Sequence, residues 1–139
     1  MMLLKQRLCE VTMAQVRSDL AVRSGGGPIV TKAVVNASDR LNISARDLAK
    51  ILGVSPATAS RMRNGQHVVK ADTKPYELSV LLIRLYRSLD AIIGGDDKVA
   101  ASWLNNENTA LGGKPAMLIQ NVEGLSDVVR YLDCRRAPV

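Results

Sequence analysis

The sequence predicts an all-α fold, and three features of the chain favour it. Aromatic residues make up 3% of the chain and Phe is absent, so a core must be built from Leu, Ile, Val, Ala and Met. Such side chains suit packing between helices, whereas strands favour aromatic and β-branched residues. Apolar residues recur at helical spacing, and Gly and Pro stand between these segments, where helices end and begin. No segment convincingly resembles a strand, and we therefore expect an all-α protein.

The opening segment, residues 1–27, is expected to be an N-terminal appendage and Gly-rich linker. Leu4, Leu8 and Val11 have the spacing of a weakly amphipathic helix. The run from Ser24 to Pro28 (SGGGP) then has the composition of a flexible joint. We therefore expect the main fold to begin at Pro28.

From Pro28 the pattern predicts a helix with one apolar stripe from Ile29 to Leu41. Two short helices follow, and each carries the signals of its ends. A serine caps both, a glycine ends the first, and a proline opens the second. These residues are Ser44, Ser55, Gly53 and Pro56. Two crossed helices joined by a sharp glycine turn form a helix-turn-helix, which we place at about residues 44 to 65.

The two faces of the second short helix are expected to have different roles. Ala49 must be small because this helix crosses close above it, while Ala59 and Met62 point back into the core. The opposite face presents short polar side chains beside an arginine, which suits base edges in a DNA major groove. Arg63 and Lys70 are placed by their charge for phosphate contacts. The candidate DNA-binding residues are Ser55, Thr58, Ser60, Arg61, Arg63, Asn64 and Lys70.

The segment from Asp47 to Gly65 resembles the Xre-type helix-turn-helix family. It contains the pairs and triplets Leu-Ala, Gly-Val-Ser, Ser-Arg and Asn-Gly in the family's order. Ala59 departs from the pattern, because the family usually has a larger branched residue there. The net charge of +6 favours a nucleic-acid partner as well. The resemblance implies a DNA-binding domain over residues 28–74, and the alternative is a helix-turn-helix that serves only packing or dimerisation.

The second half begins with the most apolar segment of the chain, from Pro75 to Ile93. A helix that is apolar on most sides is usually buried on most sides, either at the centre of a fold or in a dimer interface. We predict a homodimer on this basis. A helix carrying Trp103, a short turn at Pro115 and a last helix from about Leu125 to Arg135 are expected to follow.

Three short sequence blocks in this half carry a resemblance to a known family. They are ASWLN at 101–105, LGGKP at 111–115 and Gly124-Leu125 before the apolar positions of the last helix. Together they make residues 75–139 resemble the toxin-binding domain of Xre/MbcA/ParS-type antitoxins. The expected architecture is then a helix-turn-helix N-terminal domain followed by a small helical domain for dimerisation and toxin binding.

The resemblance implies an antitoxin of a type II toxin–antitoxin system. Such an antitoxin covers the active site of a RES-domain toxin, which degrades NAD, and represses the shared operon by binding promoter DNA as a dimer. The implied toxin-binding residues are Trp103, Leu111, Gly112, Pro115, Arg135, Arg136 and Val139.

These positions also have structural interpretations that need no partner. Trp103 on an apolar stripe can belong to the core, and Gly112 can serve a turn. Arg135 and Arg136 at a helix C-terminus oppose the helix dipole. The tail that ends at Val139 can simply be frayed.

Two other functions fit parts of the sequence, and a third, an enzyme, does not. A stand-alone helix-turn-helix transcriptional regulator would use residues 75–139 for dimerisation, and an interaction protein would have lost DNA binding. An enzyme needs clustered nucleophiles, bases or metal ligands, but His67 is the only histidine and Cys9 and Cys134 lack metal-ligand spacing. We therefore expect no catalysis, metal or cofactor.

The sequence also bears on cellular location. With early N-terminal charges and no bilayer-spanning apolar run, we expect a cytoplasmic protein without a membrane partner.

Overall fold

The computed structural model describes residues 26–136, which form one α-helical fold. The helices are α1 (Gly26–Arg40), α2 (Ala45–Leu52), α3 (Pro56–Arg63), α4 (Lys74–Ile93), α5 (Asp97–Asn105), α6 (Pro115–Leu118) and α7 (Val122–Arg136). The β-type pairing in this part of the chain is limited to an isolated bridge between Asn108 and Gly113. The all-α prediction is confirmed. The helix predicted around Leu4 to Val11 and the tail residue Val139 lie outside the described residues.

The ends of the helix-turn-helix are fixed by local hydrogen bonds, as the sequence predicts. Ser44 Oγ accepts from the Asp47 N–H at 3.1 Å, and Ser55 Oγ accepts from the Thr58 N–H at 3.1 Å. Each such cap stabilises its helix by about 1 kcal/mol. Gly53 has φ 68°, the left-handed conformation that turns the chain between α2 and α3. Both helices therefore begin directly after their capping serines, and the chain turns between them at Gly53.

The start of α1 differs from the prediction. The helix begins two residues before Pro28, and Gly26 and Gly27 are buried in its first turn rather than free in a linker. A Cβ atom on Gly26 would lie 2.5 Å from Tyr76 Oη, and one on Gly27 would lie 2.6 Å from the Val69 carbonyl oxygen. These glycines are needed for their small size, because α4 and the segment before it approach α1 closely.

The apolar helix α4 lies at the centre of the fold. It packs against α1 and α2 on one side and against α5 and α7 on the other. Leu82, Leu85 and Leu89 are at most 1% exposed. The residues of one chain thus cover this helix, and its composition no longer supports the predicted homodimer. Neither α4 nor any other helix among residues 26–136 has the length and hydropathy needed to cross a membrane.

A buried ion pair joins α4 to α7. Arg84 Nε lies 3.0 Å from Asp133 Oδ1, and the two side chains are 10% and 1% exposed. Ser88 Oγ donates a hydrogen bond of 2.6 Å to the same carboxylate oxygen. Because a carboxylate is costly to bury without such partners, the three groups depend on each other.

The last helix begins earlier than predicted, at Val122 instead of about Leu125. Gly124 lies in its first turn, where a Cβ atom would overlap the Leu118 carbonyl oxygen of α6. The absence of a side chain at this position lets α6 and α7 approach each other closely, so the corner between them depends on Gly124.

Candidate functional site

The outward face of α3 carries the predicted polar residues. Ala59 and Met62 are 0% and 2% exposed and point into the core, which confirms the predicted orientation of this helix. Ala49 on α2 is buried beneath it. The exposed positions at and around α3 are Ser55, Ala57, Ser60, Arg61 and Asn64, and Thr58 is half-exposed. The helix therefore presents a continuous surface of short polar side chains with one arginine among them.

Hydrogen bonds order this surface. Arg61 Nη2 donates to Thr58 Oγ1 at 3.2 Å, and Thr58 Oγ1 lies 2.9 Å from Ser55 Oγ, where either hydroxyl can donate. A guanidinium has five N–H donors, so this contact leaves most of them open to solvent. Arg61 is thus held along the outer face of α3 with donors available for the paired acceptors of a guanine.

Arg63 does not face outward, which corrects the prediction of a phosphate contact. Its Nη2 donates to the Ile43 carbonyl oxygen and, at 3.4 Å, to Ser38 Oγ. Its Nη1 lies 3.6 Å from Asp39 Oδ1, and the side chain is 27% exposed. Arg63 follows the last buried residue of α3, from which its long side chain reaches back across α1. The residue therefore ties α3 to α1 and the turn after it.

Lys70 lies in the connector between α3 and α4 and is exposed. The connector itself is fixed, because the Val69 N–H donates to Thr31 Oγ1 at 2.9 Å and this hydroxyl donates to the Gly27 carbonyl oxygen at 2.7 Å. An exposed cation on a fixed segment beside α3 suits a phosphate contact. Lys70 is thus exposed on an ordered segment, and its phosphate contact stays a prediction.

The part of the chain from residue 26 to residue 74 is strongly basic. It contains eight Lys and Arg against three Asp and Glu, a net charge of +5. Arg46, Lys50, Arg61 and Lys70 are exposed, and none of them pairs with a carboxylate of the described residues. Cations without internal partners remain available to neutralise phosphates.

In the second half, three side chains form one stack on the outside of α5 and α7, which we call the aromatic stack: Trp103, Tyr131 and Arg135. The Trp103 and Tyr131 ring centroids are 6.4 Å apart with 19° between the planes. Arg135 Cζ lies 4.7 Å from the Tyr131 centroid. The structure thus brings together two residues that the resemblance implied, Trp103 and Arg135, and adds Tyr131, which the sequence analysis missed. The signal that could have found it is the spacing of Tyr131 and Arg135, one helical turn apart.

The LGGKP block builds a turn. The Gly112 and Gly113 N–H groups donate to the Asn108 carbonyl oxygen at 2.9 and 3.2 Å, and Gly112 has φ 80°. Leu111 is half-buried against the core, and Pro115 is buried at the start of α6. A buried proline ring cannot contact a partner, so the implied toxin contact of Pro115 is not supported. Of the three candidates in this block, Leu111, Gly112 and Pro115, only Gly112 is exposed, and the structural interpretation explains the block.

Two further residues that the sequence analysis named are less informative. Arg136 is exposed, and its Nη1 lies 3.5 Å from Ser88 Oγ. His67 is half-buried in the connector after α3. Within residues 26–136, no group of three His, Cys, Asp or Glu side chains is arranged to hold a metal ion.

Two family models match the chain. The antitoxin Xre-like helix-turn-helix domain matches residues 22–84, and the antitoxin Xre/MbcA/ParS C-terminal toxin-binding domain matches residues 88–137. Between them they cover most of the chain, and the three residues between the two matches, 85–87, lie inside α4. None of the curated proteins with which the chain was compared matches it.

Proposed function

This chain belongs to the Xre/MbcA/ParS antitoxins, with a DNA-binding and a toxin-binding domain, and we propose that it inhibits a RES-domain toxin and represses its own operon. The observation that carries the proposal is the presence of both domains in one core, each with a surface left uncovered. The matched domains are those of antitoxins and DNA-binding regulators, and we assign no reaction to the chain.

We propose that α3 enters the major groove of promoter DNA. Arg61 is placed to donate to guanine O6 and N7, with Ser55, Thr58, Ser60 and Asn64 beside it. Lys70 contacts phosphate on the flank. Proteins of this kind commonly bind paired half-sites as dimers, so we also propose a homodimer. Since α4 is covered within one chain, the dimer must use another surface.

For the toxin, we propose that the C-terminal domain covers the active site. A RES-domain toxin degrades NAD, so its pocket is built for an anionic dinucleotide. The end of α7 carries two arginines, Arg135 and Arg136, and leads into the tail that ends at Val139. A pocket that binds an anion attracts negative charge, so we propose that this cationic segment contacts the toxin beside the pocket and not within it.

The test is co-expression of this chain with the protein encoded beside it. We expect the neighbour to stop growth and to lower cellular NAD when expressed alone, and the chain to restore both and to co-purify with it. The purified chain should also bind its promoter, with an affinity that falls as salt rises.

The second candidate is a stand-alone transcriptional regulator, which the complete and exposed α3 surface favours. A neighbour that is harmless and does not bind, together with intact promoter binding, would favour this candidate over the antitoxin. Loss of promoter binding at all salt concentrations, with toxin binding retained, would instead indicate an interaction protein without a DNA target.

A further inference from the structure

The aromatic stack has features that the core of the C-terminal domain does not need. On α5 the inward positions Ala100 and Leu104 are 2% and 1% exposed, and on α7 the inward position Leu132 is 1% exposed. Trp103 and Tyr131 lie beside these residues and are only half-buried. The core is thus already closed beneath the two rings, whose outer edges remain open to solvent.

Val99 extends the stack along α5. It lies one helical turn before Trp103 and is 47% exposed, so the two side chains share one face of the helix. A large ring and an exposed aliphatic side chain on the same face form an apolar strip.

Arg135 supplies the charge of this surface. It is exposed and lies over the Tyr131 ring, and among residues 26–136 no carboxylate pairs with it. Arg84 and Arg130 have carboxylate neighbours, since Arg84 pairs with Asp133 and Arg130 lies 4.0 Å from Asp127. Arg87 and Arg136 are exposed without a carboxylate partner among the described residues, so what sets Arg135 apart is its position over the Tyr131 ring. The guanidinium of Arg135 is therefore free to receive a carboxylate from outside the chain.

Resting on the antitoxin function proposed above, we propose that the aromatic stack and Val99 anchor the toxin interface, with Arg135 facing a carboxylate on the toxin surface. Tryptophan, tyrosine and arginine are enriched among the residues that dominate binding energy. Because the three side chains already stack in the free chain, docking orders them little further. The anchor is thus a preformed apolar strip with a cation at one end.

A second exposed apolar surface lies at the corner of α6 and α7. Met117 and Val122 are 62% and 56% exposed there. Neither of these side chains belongs to a ring stack of the described residues, so this corner lacks the feature that defines the aromatic stack. It provides a matched comparison, because a charge can be introduced at an exposed valine on either surface.

The experiment measures binding of the full chain to the purified toxin for four variants. Val99→Lys and Arg135→Glu alter the proposed anchor, and Val122→Lys and Arg130→Glu are the matched controls on other exposed positions. We expect the anchor variants to weaken toxin binding at least tenfold and the controls to change it by less than about threefold, since few interface residues dominate binding. Promoter binding should stay unchanged in all four, which reports an intact fold.

A substitution on the toxin sharpens the result. Reversing the charge of the facing toxin carboxylate to lysine should restore part of the binding of Arg135→Glu and of no other variant. Equal binding by anchor variants and controls would overturn the anchor, and so would loss of binding confined to Val122→Lys. If the unaltered chain binds no toxin while it binds its promoter, the antitoxin function itself fails and the anchor fails with it.

Discussion

The helix-turn-helix half and the C-terminal half of this chain present their charges in different ways. Residues 26–74 carry a net charge of +5, whereas residues 75–136 hold seven Lys and Arg against eight Asp and Glu, a net charge of −1. Arg61 and Lys70 in the first half have no ion-pair partner in the described residues. In the second half, Arg84 faces a carboxylate and Arg135 a tyrosine ring.

This difference agrees with the two kinds of partner that we propose. DNA attracts many cations at once and releases counterions from each phosphate that they neutralise, so unpaired positive charge strengthens binding. A folded protein partner presents both signs of charge, so its binding energy concentrates in a few buried contacts. The basic surface and the aromatic stack belong to different sets of helices, α1–α3 and α5–α7, which the apolar helix α4 joins.

The largest expected effect comes from breaking the buried ion pair between α4 and α7, in the core that the two halves share. Asp133→Ala leaves the Arg84 guanidinium buried without its carboxylate, and we expect the free energy of unfolding to fall by about 3–5 kcal/mol. Chemical denaturation should show one transition for both halves, because α4 belongs to the core of each. The double variant Arg84→Met with Asp133→Leu is the control, since a well-packed apolar pair of similar volume is often neutral. Two separate transitions would contradict the shared core.

The next effect concerns base recognition. Arg61→Ala should cost roughly 1–3 kcal/mol of binding to the cognate promoter site and relax the sequence preference at one base pair. A footprint and a set of binding curves on single-base variants of the site would measure this. An unchanged affinity and footprint would exclude Arg61 from base recognition.

Arg63 on the same helix is the matched test of orientation. Arg63→Ala removes the donors to the Ile43 carbonyl oxygen and should lower the free energy of unfolding by about 1–3 kcal/mol. The folded variant should bind promoter DNA as tightly as the unaltered chain. A loss of DNA affinity without loss of stability would mean that Arg63 contacts phosphate after all.

A smaller effect is expected at the edge of the DNA surface. Lys70→Ala should weaken binding to all sequences alike and reduce the slope of log affinity against log salt by about 1, because one phosphate contact is lost. Titrations at several salt concentrations measure the slope. A change confined to one base pair would assign Lys70 to sequence recognition instead.

The smallest effect is expected where an exposed ion pair connects the halves. Arg40 Nη1 lies 3.1 Å from Asp97 Oδ2, with side chains 49% and 37% exposed. Solvent and salt screen such a pair, so Arg40→Ala should leave the midpoint of chemical denaturation nearly unchanged at physiological salt. A shift as large as that of Asp133→Ala would show that surface charges hold the halves together.

Sequence predicted the features that depend on a few neighbouring residues. The caps at Ser44 and Ser55, the left-handed Gly53 and the inward side of α3 all follow from local hydrogen bonds and helical spacing. Each of these rules concerns residues within one or two helical turns, which one sequence contains in full. The outward face that carries Arg61 could therefore be placed before any tertiary contact was known.

Features that depend on distant parts of the chain could not be predicted. The composition around Gly26 and Gly27 resembles that of a linker. Glycine is needed at these two positions because Tyr76 and Val69, which are distant in sequence, lie too close for a side chain. The charge of Arg63 suggested phosphate, and only the fold shows the carbonyl oxygen that it meets. The hydrophobicity of α4 likewise indicated burial without indicating that this same chain covers it.

The position of α4 restricts how new partners can be acquired by this chain. A hybrid joined before Lys74 would separate α4 from the α1 and α2 that it packs against, and a hybrid joined at Gly94 would separate it from α7. Exchange of whole segments between related chains therefore has to preserve a core made by both. If the proposed anchor is correct, we expect a change of toxin preference to need only a few substitutions on the outer sides of α5 and α7, which leave the interior and the DNA surface as they are.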